Sequence, residues 1–356
     1  MGKKVLLILL SLIVAVSFLA ACSAPAPAPT VTVTSQPTST TAPHPETSID
    51  VFTAGFGFFG HVSMLGTSTL AKKVHPWLRV RVAETPGYVY NAERLEQNPS
   101  LWDKTIIEFG DWGIYLARNK IEPFTVQVLG LKKLLSPLAF AHFLVSTKPG
   151  MDDLGDVVGK KLALGTKAQS DYYSLPRLLM EKGWGNLDQM DVQWVGHMPA
   201  MQAMMDGLVD VVQSTVNMNP ETGVFMDQPI QVELKASGKK LYYLKYATPE
   251  VLAKFEAATG LKVETYTFQP GAWEGLDQEV TALISPCTYT VKDVFPEELA
   301  YEFVKLYIDN YKAMEEYNKF AVLMSPGMFT QGLTKLNTHP GALRAYEEAG
   351  IAIPEK

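Results

Sequence analysis

From Ile49 to about Tyr289, short apolar runs of strand character alternate with segments whose apolar residues recur at helical spacing. That alternation restricts the chain to α/β folds. "IDVFTA" reads as a strand, and "HVSMLGTSTLAKKV" places Val62, Leu65, Leu70 and Val74 at helical spacing. "LRVRVAE" alternates as a strand does, and "NAERLEQ" is helical. "AFAHFLVST" and "KKLALG" are further strands, followed by "SLPRLLMEKG", a helix ending at Gly183. "MDVQWVG", "PAMQAMMDG" and "LVDVVQST" continue as strand, helix and strand, which implies α/β units with mainly parallel sheets. Later, "PEELAYEFVKLYIDNYKAMEEYN" predicts one long amphipathic helix with Leu299, Phe303, Leu306 and Tyr307 on one face. There is no internal repeat.

The N-terminus stands apart from this pattern. Lys3 and Lys4 precede "VLLILLSLIVAVSFLA", an apolar run shorter than the ~20 residues of a membrane-spanning helix and laid out as a secretory signal peptide. It runs into "LAAC", Leu19 to Cys22, which resembles the bacterial lipobox. The resemblance implies a lipoprotein signal peptide over residues 1–21, with Cys22 acylated as the first residue of the mature chain. An ordinary signal peptide with a chance cysteine is the plainer alternative. Residues 22–48 are rich in Pro, Thr, Ser and Ala and nearly uncharged, so they read as an extended tether rising ~3.1 Å per residue. The expected location is therefore extracytoplasmic, lipid-anchored to a bacterial membrane.

Of 356 residues, those beyond 48 suffice for two cores rather than one. The net charge of −6 argues against nucleic acid, whose binding rests on basic patches. With Cys22 lipidated, only Cys287 is left, so no intrachain disulfide is expected.

Between the first strand and helix lies "FTAGFGFFGH", with Gly55, Gly57 and Gly60 spaced G-x-G-x-x-G. Glu84 ends the next strand, where a dinucleotide fold places the acid that holds ribose hydroxyls. Phe56, Phe58 and Phe59 put bulk where a pyrophosphate must approach backbone, and an exported chain lies away from NAD pools. No cofactor is expected. Glycines before a helix still leave N–H groups at the positive end of its dipole, which suits a carboxylate as well as a phosphate. A tight turn with no ligand is the alternative.

No H-E-x-x-H, G-x-S-x-G or C-x-x-C occurs, and six scattered His with a lone Cys287 show no metal-ligand spacing. No catalytic residue and no metal site are expected. The methionines of "HMPAMQAMMDG" read as adaptable core packing. Arg79, Arg81, Arg177 and Arg344 offer carboxylate forks but read as ion pairs. "THPGALR" reads as a helix start with Thr338 as cap and Pro340 in the first turn.

Three segments carry a family resemblance. "HFLVSTKPGMDDLGDVVGKKLALGT" (His142 to Thr166) resembles the crossover segment of type II solute-binding proteins. "YTFQPGAWEGLDQEVTAL" (Tyr266 to Leu283) and "THPGALRAYEEAGI" (Thr338 to Ile351) resemble signatures of the TAXI family. That family comprises extracytoplasmic receptors of tripartite ATP-independent (TRAP) transporters. The resemblance implies an α/β, two-lobed type II periplasmic-binding-protein fold with two crossover strands forming the hinge. Residues 49–142 and 285–356 would form one lobe and 143–284 the other, closing on a solute between them.

Carried over position by position, the resemblance implies ligand contacts from Thr53, Gly55, Phe58, Phe59 and His61, and from Thr85, Gly87 and Tyr88. The second lobe would add Thr166, Gln169, Ser170, Asp171, Ser214, Thr215, Asn217 and Trp273. "TKAQSD" and "FGDW" replace polar runs usual in the family, so the expected ligand is a larger or partly apolar organic acid. The expected partners are the TRAP small and large membrane subunits. An ABC-type importer, or an exported enzyme with no nameable nucleophile, are the competing readings.

Overall fold

The computed structural model describes residues 44–356 apart from Gly57, Gly275 and the side chains of Ser170, Pro229 and Ile230. The segment read as a signal peptide, Cys22 and nearly all of the segment read as a tether lie outside the described residues. The first described element is β1 (Thr47–Phe52), which starts just inside the segment read as tether. There follow α1 (Phe59–Val74), β2 (Leu78–Ala83), α2 (Tyr88–Gln97), β3 (Thr105–Glu108) and α3 (Asp111–Arg118). β1 pairs in parallel with both β2 and β3, the chain returning between strands through α1 and α2.

The chain then crosses the molecule in β4 (Leu131–Ser146), whose residues are buried almost without a break. Beyond it come β5 (Lys161–Leu164), α4 (Ser170–Leu178), β6 (Asp191–Trp194), α5 (His197–Met205) and β7 (Val211–Asn219). β5 is parallel to both β6 and β7. β8 (Val224–Asp227), α6 (Pro229–Ala236), β9 (Tyr242–Leu244), α7 (Pro249–Thr259) and β10 (Glu264–Phe268) lead to β11 (Val280–Lys292), which crosses back. The chain closes with α8 (Glu297–Asn310), α9 (Pro326–Phe329) and α10 (Pro340–Glu348).

The sheet runs β2-β1-β3-β11-β4-β7-β5-β6, with β8, β9 and β10 paired off this path. The expected α/β class holds, but the sheet is mixed rather than mainly parallel. Its two flanks are parallel, whereas β11 is antiparallel to β3 and β4, and β4 to β7. The cause is geometric: one strand carries the chain across and the other brings it back, so the two must run in opposite directions.

Three large apolar clusters fill the fold, and a smaller fourth gathers Phe59, Leu138, Phe140, Cys287, Phe320 and Leu323. The first joins Ile49, Val51 and Met64 to Phe303, Tyr307 and Tyr346 near the other end of the chain. The second packs Phe143, Met201, Met204, Val212 and Phe268, so the methionines of α5 serve as core filling. The third runs from Phe52, Trp102 and Phe109 through to Leu162, Leu175 and Phe255, tying both flanks together.

Two local expectations change. The long C-terminal helix stops at Asn310, and a short 3₁₀ turn over Ala313–Glu316 follows, with Met314 and Phe320 both buried. The cap of α10 is His339 rather than Thr338, whose hydroxyl donates to the Thr334 carbonyl instead. His339 Nδ1 accepts from the Gly341 N–H (3.3 Å), and Nε2–H donates to the Phe295 carbonyl (3.0 Å). Burial holds the ring neutral by lowering its pKa. Replacing His339 by Ala is expected to cost about 1–2 kcal/mol, read as a lower urea midpoint. An unchanged midpoint would show that the cap contributes nothing.

Candidate functional site

A cavity of ≈ 310 Å³ opens where the loops after β1, β2 and β5 meet. Gly55, Phe58 and Phe59 reach it from the turn between β1 and α1. Glu84, Thr85, Gly87 and Tyr88 come from the turn between β2 and α2. Gln169, Asp171 and Tyr172 face them from the start of α4, Phe140 rises from β4, and Gln228 comes from the residue before α6. These are the carboxyl ends of parallel strands, where open α/β sheets leave crevices for ligands.

Packing explains part of the glycine pattern at 55–60. A Cβ on Gly60 would collide with the Glu108 carboxylate, so α1 packs on β3 only with glycine there. Gly55 has ordinary room for a side chain, and Gly57 lies outside the described residues. Glu84, the acid a dinucleotide fold would turn to a ribose, accepts the Phe56 N–H (2.8 Å) and closes the turn. Phe58 and Phe59 face the cavity while Phe56 is exposed, and Phe59 packs edge-on against Phe140 and Phe320.

Helices α1, α2, α4 and α6 begin next to lining residues Phe58, Gly87, Gln169 and Gln228, and none carries a side-chain cap. Helices α3, α5 and α8 lack such a cap as well, whereas Thr248, Ser325 and His339 cap α7, α9 and α10. Uncapped starts leave backbone N–H groups and partial positive charge at the cavity wall.

The acidic groups beside these starts are held by short hydrogen bonds. Glu108 accepts from the Tyr88 hydroxyl (3.0 Å) and the Cys287 thiol (2.7 Å), and its Oε2 has no partner. It lines a small recess that shares Tyr88, Phe140 and Asp171 with the cavity. Burial pushes its pKa up to about 7; the two donors pull against that, and the Asp171 charge adds to the rise. Asp171 accepts from the Ser285 hydroxyl (2.7 Å). Tyr172 and Gln228 are tied to Thr215, at 2.7 and 2.8 Å.

Among the described residues, no Lys or Arg lines the cavity. The four arginines considered as carboxylate forks are committed elsewhere: Arg79 to Glu46, Arg81 to Asp50, Arg177 to Glu122 and Arg344 to Glu298. Nor do His142 and His197 supply charge. Burial lowers the pKa of His142 to about 3 and of His197, stacked on Tyr172, to about 4.

Of the residues expected to touch ligand, Gly55, Phe58, Phe59, Thr85, Gly87, Tyr88, Gln169 and Asp171 line this cavity. Thr53 and His61 lie beneath it, buried and bonded to each other (3.0 Å), and the Thr85 hydroxyl donates to the Thr53 carbonyl. Thr166 shapes the loop, its N–H donating to Gln169 Oε1 (3.4 Å), and Ser170 opens α4. Ser214, Thr215 and Asn217 are buried in β7, where Ser214 binds Gln231 and Thr215 braces Tyr172. Trp273 stands elsewhere, in an aromatic cluster with Phe143, Phe225, Tyr243 and Phe268. In "FGDW", Phe109 and Trp112 are core residues and Asp111 pairs with Lys133, so they do not make the main cavity more aromatic.

Phe140, Tyr172, Gln228 and Glu108 escaped the sequence reading. Glu108 alone left a signal, as a carboxylate in the apolar strand "TIIEF".

A profile of the NMT1-like family matches residues 135–350. Comparison with curated protein sequences finds no match. Among solved structures, the chain is similar to MatC from Rhodopseudomonas palustris with bound malate. The identity is 15% and the TM-score 0.47, with 85% of this chain and 96% of that one covered. It is similar to the alkanesulfonate-binding protein SsuA from Xanthomonas axonopodis pv. citri bound to MOPS, at 12% identity and TM-score 0.41, covering 85% and 84%. A TctC solute-binding protein from Polaromonas gives 9% and 0.42, covering 85% and 88%. What each of those proteins binds is a property of that protein.

Glu108 generates a prediction. Below about pH 4.5 the carboxyl is protonated in both folded and unfolded chains and has no effect on stability. Between 4.5 and about 7 the unfolded carboxyl ionises first, so stability falls; above 7 the deficit is constant. Glu108→Gln is therefore expected to gain on the parent through that window, by at most roughly 3 kcal/mol. Urea midpoints of both proteins from pH 4 to 8 check this (about one-unit steps suffice). A difference that does not change with pH would contradict it.

Proposed function

The chain belongs to the NMT1-like family, and from that premise we propose that it is an extracytoplasmic solute-binding protein. It captures a small molecule in the cavity at Phe58, Tyr88 and Asp171 and delivers it to a membrane permease. It does so as a receptor and not as an enzyme. The observation that carries this reading is the convergence of three uncapped helix starts, α1, α2 and α4, on one aromatic-walled space. Such a wall offers hydrogen bonds and apolar contact to a solute; the thiol–carboxylate pair beside it, Cys287 with Glu108, is buried, and burial pushes the thiol pKa up, away from the reactive thiolate.

In this reading residues 49–142 with 285–356 and residues 143–284 act as two lobes, with β4 and β11 as the connecting strands. The two rims approach at Gly87, whose φ is +144°; a Cβ there would stand 2.5 Å from the Ala168 carbonyl oxygen. Glycine lets the rims close on each other. A solute with an apolar part fits against Phe58, Phe59 and Phe140. The TAXI signatures at Tyr266–Leu283 and Thr338–Ile351 favour TRAP membrane subunits as partners over an ABC permease. The lipobox at Cys22 would tether the receptor to the membrane.

Mass spectrometry of small molecules released on denaturing the purified chain tests the reading, followed by calorimetric titration of the compound found. A stoichiometric compound that rebinds unchanged is expected; its chemical conversion would mark an enzyme, and the absence of any compound would count against binding. Phe58→Ala and Gly87→Ala are each expected to weaken rebinding by roughly tenfold, about 1.4 kcal/mol. Uptake into membrane vesicles that persists without ATP would support a TRAP partner, and ATP dependence would support the ABC alternative.

A further inference from the structure

The sequence points to an organic acid as ligand, yet the walls of the cavity are supplied for the opposite charge. Glu84 and Asp171 line it and Glu108 lines the adjoining recess, whereas among the described residues no Lys or Arg lines either. Glu108 is 3% exposed; its Oε1 accepts from Tyr88 and Cys287, and its unpartnered Oε2 packs against Gly60 of α1.

Several side-chain and turn donors around the cavity are already taken by the protein's own acceptors, which leaves the helix-start N–H groups. The Phe56 N–H goes to Glu84 (2.8 Å), the Tyr88 hydroxyl to Glu108 (3.0 Å) and the Ser285 hydroxyl to Asp171 (2.7 Å). The Thr166 and His197 N–H groups go to Gln169 Oε1, at 3.4 and 3.3 Å, and the Gln228 amide donates to Thr215 (2.8 Å).

The uncapped helix starts each carry about half a positive charge that fades within a turn. Asp171 lies in the first turn of α4 and Glu84 closes the turn before α1, so a carboxylate stands beside each of these two starts. Glu108, against Gly60 in the first turn of α1, holds its proton to about pH 7 and adds little charge there.

Resting on the solute-binding reading, we infer that the solute is an organic cation: an amine with an apolar body, its ammonium directed to Asp171 and Glu84, the two carboxylates that line the cavity. The rings of Phe58, Tyr88, Phe140 and Tyr172 suit that body and attract a cation over their faces. An ammonium brings only donors, which is what an acceptor-rich wall lacks.

Calorimetry with three probes of one shape, phenethylamine, phenylpropionate and phenylalanine, tests the charge preference at neutral pH. The amine is expected to bind at least roughly tenfold more tightly than the acid, and Asp171→Asn to narrow that gap. Equal or tighter binding of the acid overturns the inference, as does binding of the zwitterion without the amine. Should no probe bind, the net charge of the compound released from the purified chain decides. A cation upholds the inference, and an anion or zwitterion overturns it while leaving the solute-binding reading intact. No released compound and no probe bound would overturn both.

Discussion

β4 and β11 pair over most of their length, from Leu131 opposite Lys292 to His142 opposite Leu283, and that ladder forms the centre of the sheet on which both flanks are built. Each strand also reaches a different neighbour, β11 pairing with β3 at Tyr289 and β4 with β7 from Ala139 onward. One antiparallel pair thereby holds a parallel group on either side. The register also sets the floor of the cavity. Phe140, which lines it, lies opposite Ser285, which holds Asp171. Cys287, facing Leu138, donates its thiol to Glu108.

A cavity built this way sits over a polar floor, and burial decides what that floor contributes. His142, Gln213, Thr215 and Asn217 are buried within β4 and β7. Desolvation keeps His142 and His197 uncharged near neutral pH, so they add dipoles rather than cations. The carboxylates are placed differently: Asp171 and Glu84 keep contact with solvent, while Glu108 is enclosed and holds its proton to about pH 7. Phe58, Phe59 and Tyr88 and the lining carboxylates Glu84 and Asp171 therefore come from the turns after β1, β2 and β5 and the helix starts that follow them.

Much of the fold is legible from the order of apolar runs, because period-two and helical spacing are local properties of the chain. The central antiparallel ladder is not, since nothing within "AFAHFLVST" states whether its neighbour runs up or down. The loops after β1, β2 and β5 could be located because glycines and polar residues cluster where strands end. Residues such as Phe140 and Tyr172 could not, because whether an aromatic faces the core or a cavity depends on packing. Trp273 illustrates the converse, an aromatic in a recognisable segment that packs against Phe268 and Tyr243 away from the cavity. Glu108 sits between: its charge in an apolar strand marks it as unusual, but only the fold brings it to Gly60 and Cys287.

The central claim is that one solute bridges the turns after β1 and β2 to the start of α4. Hydrogen–deuterium exchange with and without the compound released from the purified chain addresses it most directly. The account predicts slowed exchange at residues 58–61, 87–91 and 169–173 together, with the surface around Trp273 unchanged. Protection confined to the Trp273 surface, or to one of the three segments alone, would contradict it.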